Sequence, residues 1–306
     1  MTSNTQIANL AHIPTMVSII IPSFKQGEFI ERTIQSVLEQ DYRPIEIIVI
    51  DAQSNDNTIE ILKKFDKTPE VRWVSEPDKG HSDGINKGFQ LAQGEIVAWL
   101  NSDDVYFTKD VIRTIVTHFE KHPEHDLVYG HVAIISRNDI ILRFYLVPPY
   151  NANRIKRRNL ISQPSVFMRK SIVEAEKFTI GQIGLDYEYW LRLIHKNYKF
   201  FRIDKILACD RHYAERLSVQ KKLLIDSQIQ ETKRTLEINN QISTKMMYPL
   251  DRFSQMKYRL IGVLYILKML IYHQNHSLAF PAKIDSFISL VFRQLFTSIT
   301  HQHSDK

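Results

Sequence analysis

The sequence has a single cysteine, Cys209, and only nine glycines among 306 residues. One cysteine cannot form an internal disulfide, which fits a reducing compartment and excludes a disulfide-stapled scaffold. No G-x-G-x-x-G loop follows the first apolar run, where Pro22-Ser23-Phe24 stands instead, so a dinucleotide-binding dehydrogenase is not expected. The sequence also lacks a Walker loop, a G-x-S-x-G elbow and a Cys/His zinc spacing.

The formal net charge of +6 is concentrated towards the C-terminus. Residues 245–306 contain 8 Lys and Arg against 3 Asp and Glu, and the segment is also apolar. This combination favours contact with an anionic membrane surface, and we expect no nucleic-acid partner. Helices packed on the core, or a homodimer contact, are open alternatives. Residues 1–14 lack the pattern of a signal peptide, so we expect a cytoplasmic protein, with peripheral attachment to the inner face of the cell membrane if the tail binds lipid.

Apolar runs alternate with helix-period segments in the first half of the chain. Strands are predicted over 17–21, 45–50, 71–74 and 96–100, and helices over 29–40, 58–65, 81–92 and 109–122. Strands that alternate with helices of this length predict an α/β fold with a doubly wound, mostly parallel sheet and helices on both faces.

The alternation weakens after residue 127. Strands are predicted over 127–129, 132–135, 140–147, 165–168, 200–203 and 206–209, and helices over 187–195 and 223–239. The strands around Arg137-Asn138-Asp139 are expected to form a hairpin. Two further apolar segments, 258–272 and 284–299, suggest helices that lie at a membrane interface.

Acidic and polar residues follow the predicted strands of the first half. Asn101-Ser102-Asp103-Asp104 comes directly after the buried run 96–100, and Asp51 ends the second strand. Because ligands of doubly wound folds bind beyond the carboxyl ends of the strands, these acids predict an oxygen-ligand site for a divalent cation that serves a substrate phosphate. A loop with solvated acids and a helix cap is the alternative.

The segment Asp78-Lys79-Gly80-His81-Ser82-Asp83 precedes a predicted helix. Gly80 permits close backbone approach, a helix N-terminus favours phosphate, and Lys79 can neutralise a diphosphate. A capped surface helix is the alternative interpretation.

These motifs together resemble family 2 glycosyltransferases, which are bacterial inverting enzymes with a GT-A fold. The resemblance rests on 17–24, 50–58, 78–88 and 94–104, in the family's order and spacing. It implies a GT-A domain over 16–220, with a nucleotide-binding half (16–126) and an acceptor half (127–220). Residues 1–15 would be an N-terminal extension and 221–306 a helical C-terminal extension.

The resemblance also implies roles for individual residues. Asp104 would be the direct ligand of Mn²⁺ or Mg²⁺, and Asp103 would lie nearer the ribose or donor sugar. Ser102 stands where the literal DXD motif has its first acid, a variant seen in many members. The other expected nucleotide-binding residues are Pro22, Ser23, Phe24, Asp51, Lys79 and Asp83, with Asp51 on the base.

The family's catalytic base corresponds to Asp186, although Leu185 replaces the acid that usually precedes it. A carboxylate ionised at neutral pH can accept a proton, whereas a helix N-cap is the alternative role. Glu188 is a second candidate base and, with Gln163, a tentative acceptor contact. His212 would join the metal or the diphosphate, unless it is structural.

The predicted function is inverting transfer of a sugar from a nucleotide-diphosphate donor, UDP by default, to a hydroxyl of a glycan or lipid-linked acceptor in bacterial surface polysaccharide synthesis. A sugar nucleotidyltransferase and a non-catalytic sugar-nucleotide-binding module are the alternatives. Retention of the four aspartates, Asp51, Asp103, Asp104 and Asp186, argues against the last.

Overall fold

A computed structural model describes residues 14–238, together with residues 260, 263 and 264. The predictions for the C-terminal tail, which include the membrane surface over 245–306 and the apolar segments 258–272 and 284–299, concern residues that lie outside this described part. The same is true of the N-terminal residues 1–13. Membrane contact and a homodimer therefore stay predictions.

The described chain alternates strands and helices through its first half and adds antiparallel strands later. The strands are β1 Val17–Ser23, β2 Ile45–Asp51, β3 Val71–Ser75, β4 Ile96–Trp99, β5 Val105–Tyr106, β6 Leu127–Ser136, β7 Ile141–Tyr145, β8 Phe167–Arg169 and β9 Phe200–His212. The helices are α1 Ile30–Leu38, α2 Thr58–Lys63, α3 His81–Leu91, α4 Val111–Lys121, α5 Ala152–Arg157, α6 Lys170–Ala175, α7 Leu185–His195, α8 Leu217–Gln220 and α9 Lys222–Thr235.

All nine of these strands belong to one mixed sheet in the order β3-β2-β1-β4-β8-β6-β9-β5, with β7 beside β6. The neighbours among β1 to β4 pair in parallel, and β8 introduces antiparallel pairing next to β4. The predicted α/β fold with a mixed sheet is confirmed. The parallel part carries the carboxyl ends of β1, β2 and β4 to the same edge, which positions the site described below.

The core forms because both faces of the parallel strands are covered. Every residue of β1 and β2 is buried, as expected for strands between two helix layers. On α1 the buried face follows helical spacing at Ile30, Ile34 and Val37. Inward residues of α3 and α4 continue this apolar layer.

Two strands are longer than the sequence predicts. The segments predicted at 127–129 and 132–135 form the single strand β6, and those at 200–203 and 206–209 form β9. The strand breaks were predicted where polar residues interrupt the apolar runs. In the fold His131 of β6 and Asp204 of β9 lie 2.8 Å apart, and the β6–β9 register shifts around His131. The two polar residues therefore pair with each other across β6 and β9, and the pairing of the two strands continues past them.

Two other segments differ in their bounds. The predicted strand 165–168 is a short 3-10 turn, Gln163–Ser165, followed by β8. The predicted helix 223–239 is observed as α9 over Lys222–Thr235. Ile229 of α9 is buried against the core, so the beginning of the predicted C-terminal extension packs on the folded unit. Within the described residues no helix is both long and apolar enough to cross a bilayer.

Candidate active site

Two neighbouring cavities lie at the carboxyl edge of the parallel strands. The larger, of about 720 Å³, is lined by residues that follow β1, β2 and β4. The smaller, of about 260 Å³, lies towards α7 and the turn before β8. Both are lined by His81, Asn101, Arg216, Leu217 and Ser218, so the cavities share a wall. The larger volume is within the range of ordinary ligand pockets.

The segment 101–104 after β4 is held from two sides. Ser102 donates to the carbonyl oxygen of Pro22 at 2.5 Å, which ties the segment to β1. Thr33 of α1 donates to the carbonyl oxygens of Ser102 and Asp104 at 2.7 and 2.8 Å. These hydrogen bonds from side-chain hydroxyl groups to backbone carbonyl oxygens fix the backbone that carries the carboxylates of Asp103 and Asp104.

Asp103 and Asp104 face different cavities although they are adjacent. Asp103 lines the larger cavity, and its Oδ2 accepts a hydrogen bond from the Tyr213 hydroxyl at 2.8 Å. Asp104 lines the smaller cavity and is only 2% exposed. Its Oδ1 accepts from the backbone N–H of Arg211 at 2.9 Å, and its Oδ2 accepts from Asn101 at 3.3 Å. The pair therefore stands at the junction of the two cavities.

The surroundings of Asp104 favour a neutralising partner. Burial, followed by the charges of Asp103 and Asp210, raises the pKa of Asp104 well above its ordinary value. Arg216 opposes this shift and forms an ion pair with Asp210 at 2.9 Å. The carboxylates of Asp103 and Asp210 act on Asp104 through their charge, and carboxylate oxygens are ligands that Mg²⁺ and Mn²⁺ prefer. Asp210 was not among the predicted site residues.

Arg211 was not among the predicted site residues, yet it organises this corner of the site. Its side chain is fully buried and forms an ion pair with Asp139 at 2.7 Å. Its guanidinium donates to the carbonyl oxygens of Asp103, Ser136 and Arg137 at 2.7, 3.0 and 2.9 Å. The residue therefore fixes the backbone of the segment 101–104 to the β6–β7 hairpin.

The predicted nucleotide-binding residues divide into two groups. Pro22, Ser23, Phe24 and Asp103 line the larger cavity. Phe24 is 54% exposed, which leaves its ring accessible to a planar ligand. Lys79 and Asp83 lie outside both sets of lining residues.

Lys79 and Asp83 instead shape the turn before α3. Asp83 Oδ2 accepts from the backbone N–H of Lys79 at 3.0 Å and lies 3.8 Å from the Lys87 ammonium. Gly80, with φ at +104°, is the N-cap residue of α3, which has no side-chain capping hydrogen bond. The structure does not bring the side chain of Lys79 or of Asp83 to the cavities.

Asp51 is fully buried at the end of β2 and already has partners. Its carboxylate accepts from the Ser54 backbone N–H at 2.9 Å, the Ser54 hydroxyl at 2.5 Å and the Ser75 hydroxyl at 2.7 Å. These bonds shape the 52–54 turn, whose Ala52 and Gln53 line the larger cavity. Base recognition by Asp51 stays a prediction.

Asp186 lines the smaller cavity, together with Asp104 and Asp210. Asn159 donates to its Oδ2 at 2.9 Å. Burial raises the pKa of Asp186, while hydrogen bonds from the Tyr187 backbone and from Asn159 oppose the shift. The helix-cap alternative is wrong in its strict form, because α7 has Gly184 as its N-cap and Asp186 lies within the first turn.

Glu188 does not reach the cavities. It is buried on α7 and pairs with Arg192 at 2.6 Å, while Thr179 donates to it at 3.2 Å. The Glu188 carboxylate is therefore buried, compensated by Arg192 and directed away from the cavities, and the pair is structural. The prediction of Glu188 as a second base or an acceptor contact is corrected.

Gln163 lines the smaller cavity but also holds the end of β4. Its amide donates to the Trp99 carbonyl oxygen at 2.6 Å and accepts from Asn101 at 2.9 Å. Acceptor contact by Gln163 stays a prediction. His212 lies 3.4 Å from Asp210 and outside both sets of cavity-lining residues. A metal-ligand role for His212 also stays a prediction.

His81 is a site residue that the sequence signals only by its place at the start of α3. It lines both cavities. Burial lowers its pKa, and the charges of Asp103 and Asp78 and a hydrogen bond with Asn101 oppose that shift. An imidazole so placed presents a neutral polar group to the wall between the cavities.

Comparisons with known proteins agree with this arrangement. A profile described as "Glycosyl transferase family 2" matches residues 18–172. The UDP-Glc:alpha-D-GlcNAc-diphosphoundecaprenol beta-1,3-glucosyltransferase WfgD of Escherichia coli is 27% identical over 60% of this chain and 71% of its own length.

Two solved structures share the fold. The S. aureus TarS 1–349 complex with UDP-GlcNAc has a TM-score of 0.59 at 17% identity, over 73% of this chain and 66% of that one. The mannosyltransferase PcManGT from Pyrobaculum calidifontis, in complex with GDP-Man and Mn²⁺, has a TM-score of 0.56 at 13% identity, over 87% and 77%. The chain, a glycosyltransferase with a GT-A fold, therefore belongs to glycosyltransferase family 2.

Proposed function

We propose that this enzyme transfers a sugar, with inversion, from a nucleoside-diphosphate sugar to a hydroxyl group of a glycan or lipid-linked acceptor in surface polysaccharide synthesis. One observation carries the proposal. The adjacent Asp103 and Asp104 line two neighbouring cavities that share a wall, and the second cavity is also lined by Asp186. A donor in one cavity and an acceptor in the other would meet beside these carboxylates.

The larger cavity is the proposed donor site. Pro22, Ser23 and the exposed ring of Phe24 form a wall on which a base can stack, and Asp103 faces the same space. Support comes from relatives whose names or complexes include UDP-Glc, UDP-GlcNAc and GDP-Man. UDP is the proposed nucleotide, with Asp51 at the base end.

A divalent cation, Mn²⁺ or Mg²⁺, is proposed at the junction of the cavities. Asp104 would be its direct ligand, with Asp103 and Asp210 contributing negative charge nearby. The raised pKa of Asp104 supports this, because a bound cation would stabilise the ionised carboxylate that burial disfavours. When bound, the cation would supply Lewis-acid stabilisation of the leaving diphosphate. The Mn²⁺ complex of PcManGT gives further support.

Asp186 is the proposed catalytic base. A carboxylate oxygen of Asp186 accepts the proton of the acceptor hydroxyl, and the hydroxyl oxygen forms a bond with the anomeric carbon. The bond from that carbon to the diphosphate oxygen breaks, and the nucleoside diphosphate leaves with the electron pair. A pKa raised by burial brings the carboxylate closer to the operating pH and makes it a stronger base.

Attack from the face opposite the leaving group inverts the anomeric configuration. Asn159 holds one oxygen of Asp186 at 2.9 Å and so orients the carboxylate towards the cavity. Positive charge that develops on the sugar ring would be offset by the surrounding carboxylates.

The proposed acceptor class is supported by the residues that precede Asn159. The basic helix α5 contains Arg154, Lys156 and Arg157, and ends two residues before Asn159, which lines the smaller cavity. Guanidinium and ammonium groups on the helix that leads to Asn159 suit a phosphate or diphosphate on a lipid carrier. WfgD, by its name, acts on a diphosphoundecaprenol-linked sugar.

The test is a screen of UDP- and GDP-sugars with a lipid-diphosphate sugar acceptor, with and without Mn²⁺. We expect release of nucleoside diphosphate that requires acceptor and metal, and a product anomer opposite to that of the donor by NMR. Asp226→Asn, on the exposed face of α9, is the matched control for the site aspartates and should keep full activity. Release of pyrophosphate would indicate a nucleotidyltransferase instead, and a retained anomer would contradict the inverting mechanism.

A further inference from the structure

A cluster of histidines lies at the end of α4, outside the residues that line the two cavities. It consists of His118 on the helix and of His122, Glu124 and His125 in the loop that leads to β6. We call these four residues the histidine cluster. Only Glu124 of the four is exposed, and the three imidazoles are half-buried.

The donor atoms of three cluster residues converge on one point. His122 Nδ1 lies 3.3 Å and His125 Nε2 lies 3.6 Å from the same carboxylate oxygen, Oε1 of Glu124. All three ligand atoms lie within 4.8 Å of one another. In a tetrahedral zinc site with bonds of about 2.0–2.2 Å, neighbouring ligand atoms are about 3.4 Å apart. Two edges of such a site are therefore already present.

The fourth residue, His118, contacts His125 on the side of the ring away from Glu124. His118 Nε2 lies 3.0 Å from His125 Nδ1, the ring nitrogen of His125 that faces away from Glu124. A hydrogen bond from Nδ1–H of His125 to His118 would leave Nε2 free as a ligand. This is the usual outer-shell arrangement of metal-binding histidines, in which the second ring nitrogen is held by a partner.

Stacking fixes the rings further. The phenyl ring of Phe201, on β9, stacks on His118 and on His125 with centroid distances of 4.6 Å in both cases. His118 and His125 are themselves nearly parallel, at 5.1 Å. A site whose rotamers are held by packing loses little entropy when an ion binds.

We propose that His122, Glu124 and His125 bind a divalent transition-metal ion, with Zn²⁺ the best match. Two imidazole nitrogens and one carboxylate oxygen suit Zn²⁺, whereas Mg²⁺ and Mn²⁺ prefer oxygen-rich sites. This site therefore differs in chemistry from the carboxylate ligand proposed at Asp104. The bound ion would tie the end of α4 to the loop before β6 and stabilise the fold away from the catalytic cavities.

The experiment uses the full chain after removal of any affinity tag and treatment with a chelator. Zn²⁺ is titrated by calorimetry, and Co²⁺ is used as a spectroscopic probe, since four-coordinate Co²⁺ absorbs visible light far more intensely than Co²⁺ in an octahedral oxygen site. We expect one equivalent of Zn²⁺ and the intense Co²⁺ spectrum. His122→Ala and His125→Ala should each weaken Zn²⁺ binding at least about 100-fold.

His195→Ala, which removes an exposed histidine from α7, is the control and should bind Zn²⁺ as the unaltered chain does. Glu124→Gln should weaken binding while the Tm without metal stays the same. At free Zn²⁺ of 100 times Kd, the Tm of the unaltered chain should rise by about 5–10 °C. A weak octahedral Co²⁺ spectrum, or equal Zn²⁺ affinity in the His122→Ala and unaltered chains, would overturn the proposal.

Discussion

Replacement of the buried Arg211 tests whether this side chain holds the segment 101–104 in place. Arg211→Met keeps a long apolar stem but removes every donor of the guanidinium. The carbonyl oxygens of Asp103, Ser136 and Arg137 lose their partner, and the buried carboxylate of Asp139 loses the ion pair at 2.7 Å. Arg32 still contacts Asp139, so the carboxylate keeps one cation.

The magnitude follows from these contacts. Breaking a buried ion pair from one side costs about 3–5 kcal/mol, because the remaining charge stays buried without compensation. Arg32 reduces that term, whereas hydrogen bonds from a charged donor contribute about 1.5–3 kcal/mol each when measured singly. Because one guanidinium makes all of these contacts, the contributions overlap and are not summed. We therefore expect a loss of about 3–5 kcal/mol in the free energy of unfolding, or a fall in Tm of roughly 6–20 °C.

The assay is urea unfolding followed by tryptophan fluorescence and circular dichroism, with a thermal melt in parallel. Arg234→Met is the matched control, since Arg234 is 77% exposed and pairs with Glu231, which is 68% exposed. Such a surface pair contributes about 0–1 kcal/mol. A loss below about 1 kcal/mol for Arg211→Met would refute the argument. So would full activity, because a freed Asp103 backbone should also weaken donor binding.

Three further changes test the site and its support. Asp186→Asn should lower kcat at least about 100-fold but keep the donor affinity measured by calorimetry, with Asp226→Asn as control. Because burial raises the pKa of Asp186, the acidic limb of the kcat/KM profile of the unaltered enzyme should lie above pH 3.8. An acidic limb at or below pH 3.8 would contradict the assignment. Asp104→Asn should abolish stimulation by Mn²⁺ and reduce donor affinity. Because the pKa of Asp104 is raised in the folded state, ionisation of Asp104 lowers the stability of the unaltered chain as pH rises. In chelator, Asp104→Asn should therefore have a higher Tm than the unaltered chain at pH 7 and an equal Tm near pH 4. A lower Tm of Asp104→Asn at pH 7 would contradict this reasoning. Gly184→Ala would place a Cβ 2.7 Å from Cγ2 of Ile225, and the unfolding free energy should fall by about 1–3 kcal/mol in a urea titration; an unchanged midpoint would show that α9 can move away from α7 at no cost.

The first half of the fold could be predicted well from the sequence. Strands such as Val17–Ser23 and Ile45–Asp51 are buried on both faces, so their apolar runs are continuous and their ends are marked by polar residues. The second half was harder. β6 and β9 contain His131 and Asp204, which break the apolar pattern locally and pair with each other across the two strands. A pairing between residues 73 positions apart leaves no local signal.

The residues of the candidate site could likewise be predicted only in part from the sequence. Asp103, Asp104 and Asp186 stand in motifs that resemble a known family, and the structure places all three on cavity walls. Glu188 was misjudged because its neighbour in the motif lines the cavity, while helix rotation turns Glu188 itself towards Arg192. His81 and Asp210 were missed because each reaches the site from a different element.

By itself, the sequence determined the order of the strands and helices in the parallel half, the acidic strand ends, and the motifs that resemble family 2 glycosyltransferases. These are local properties, set by side-chain periodicity and by the abrupt change from apolar to polar residues. The tertiary structure alone decided that Asp103 and Asp104 face two different cavities, that Arg211 is buried beneath them, and that three histidines and Glu124 gather beside Phe201. Such contacts depend on the packing of distant segments, which no local pattern encodes.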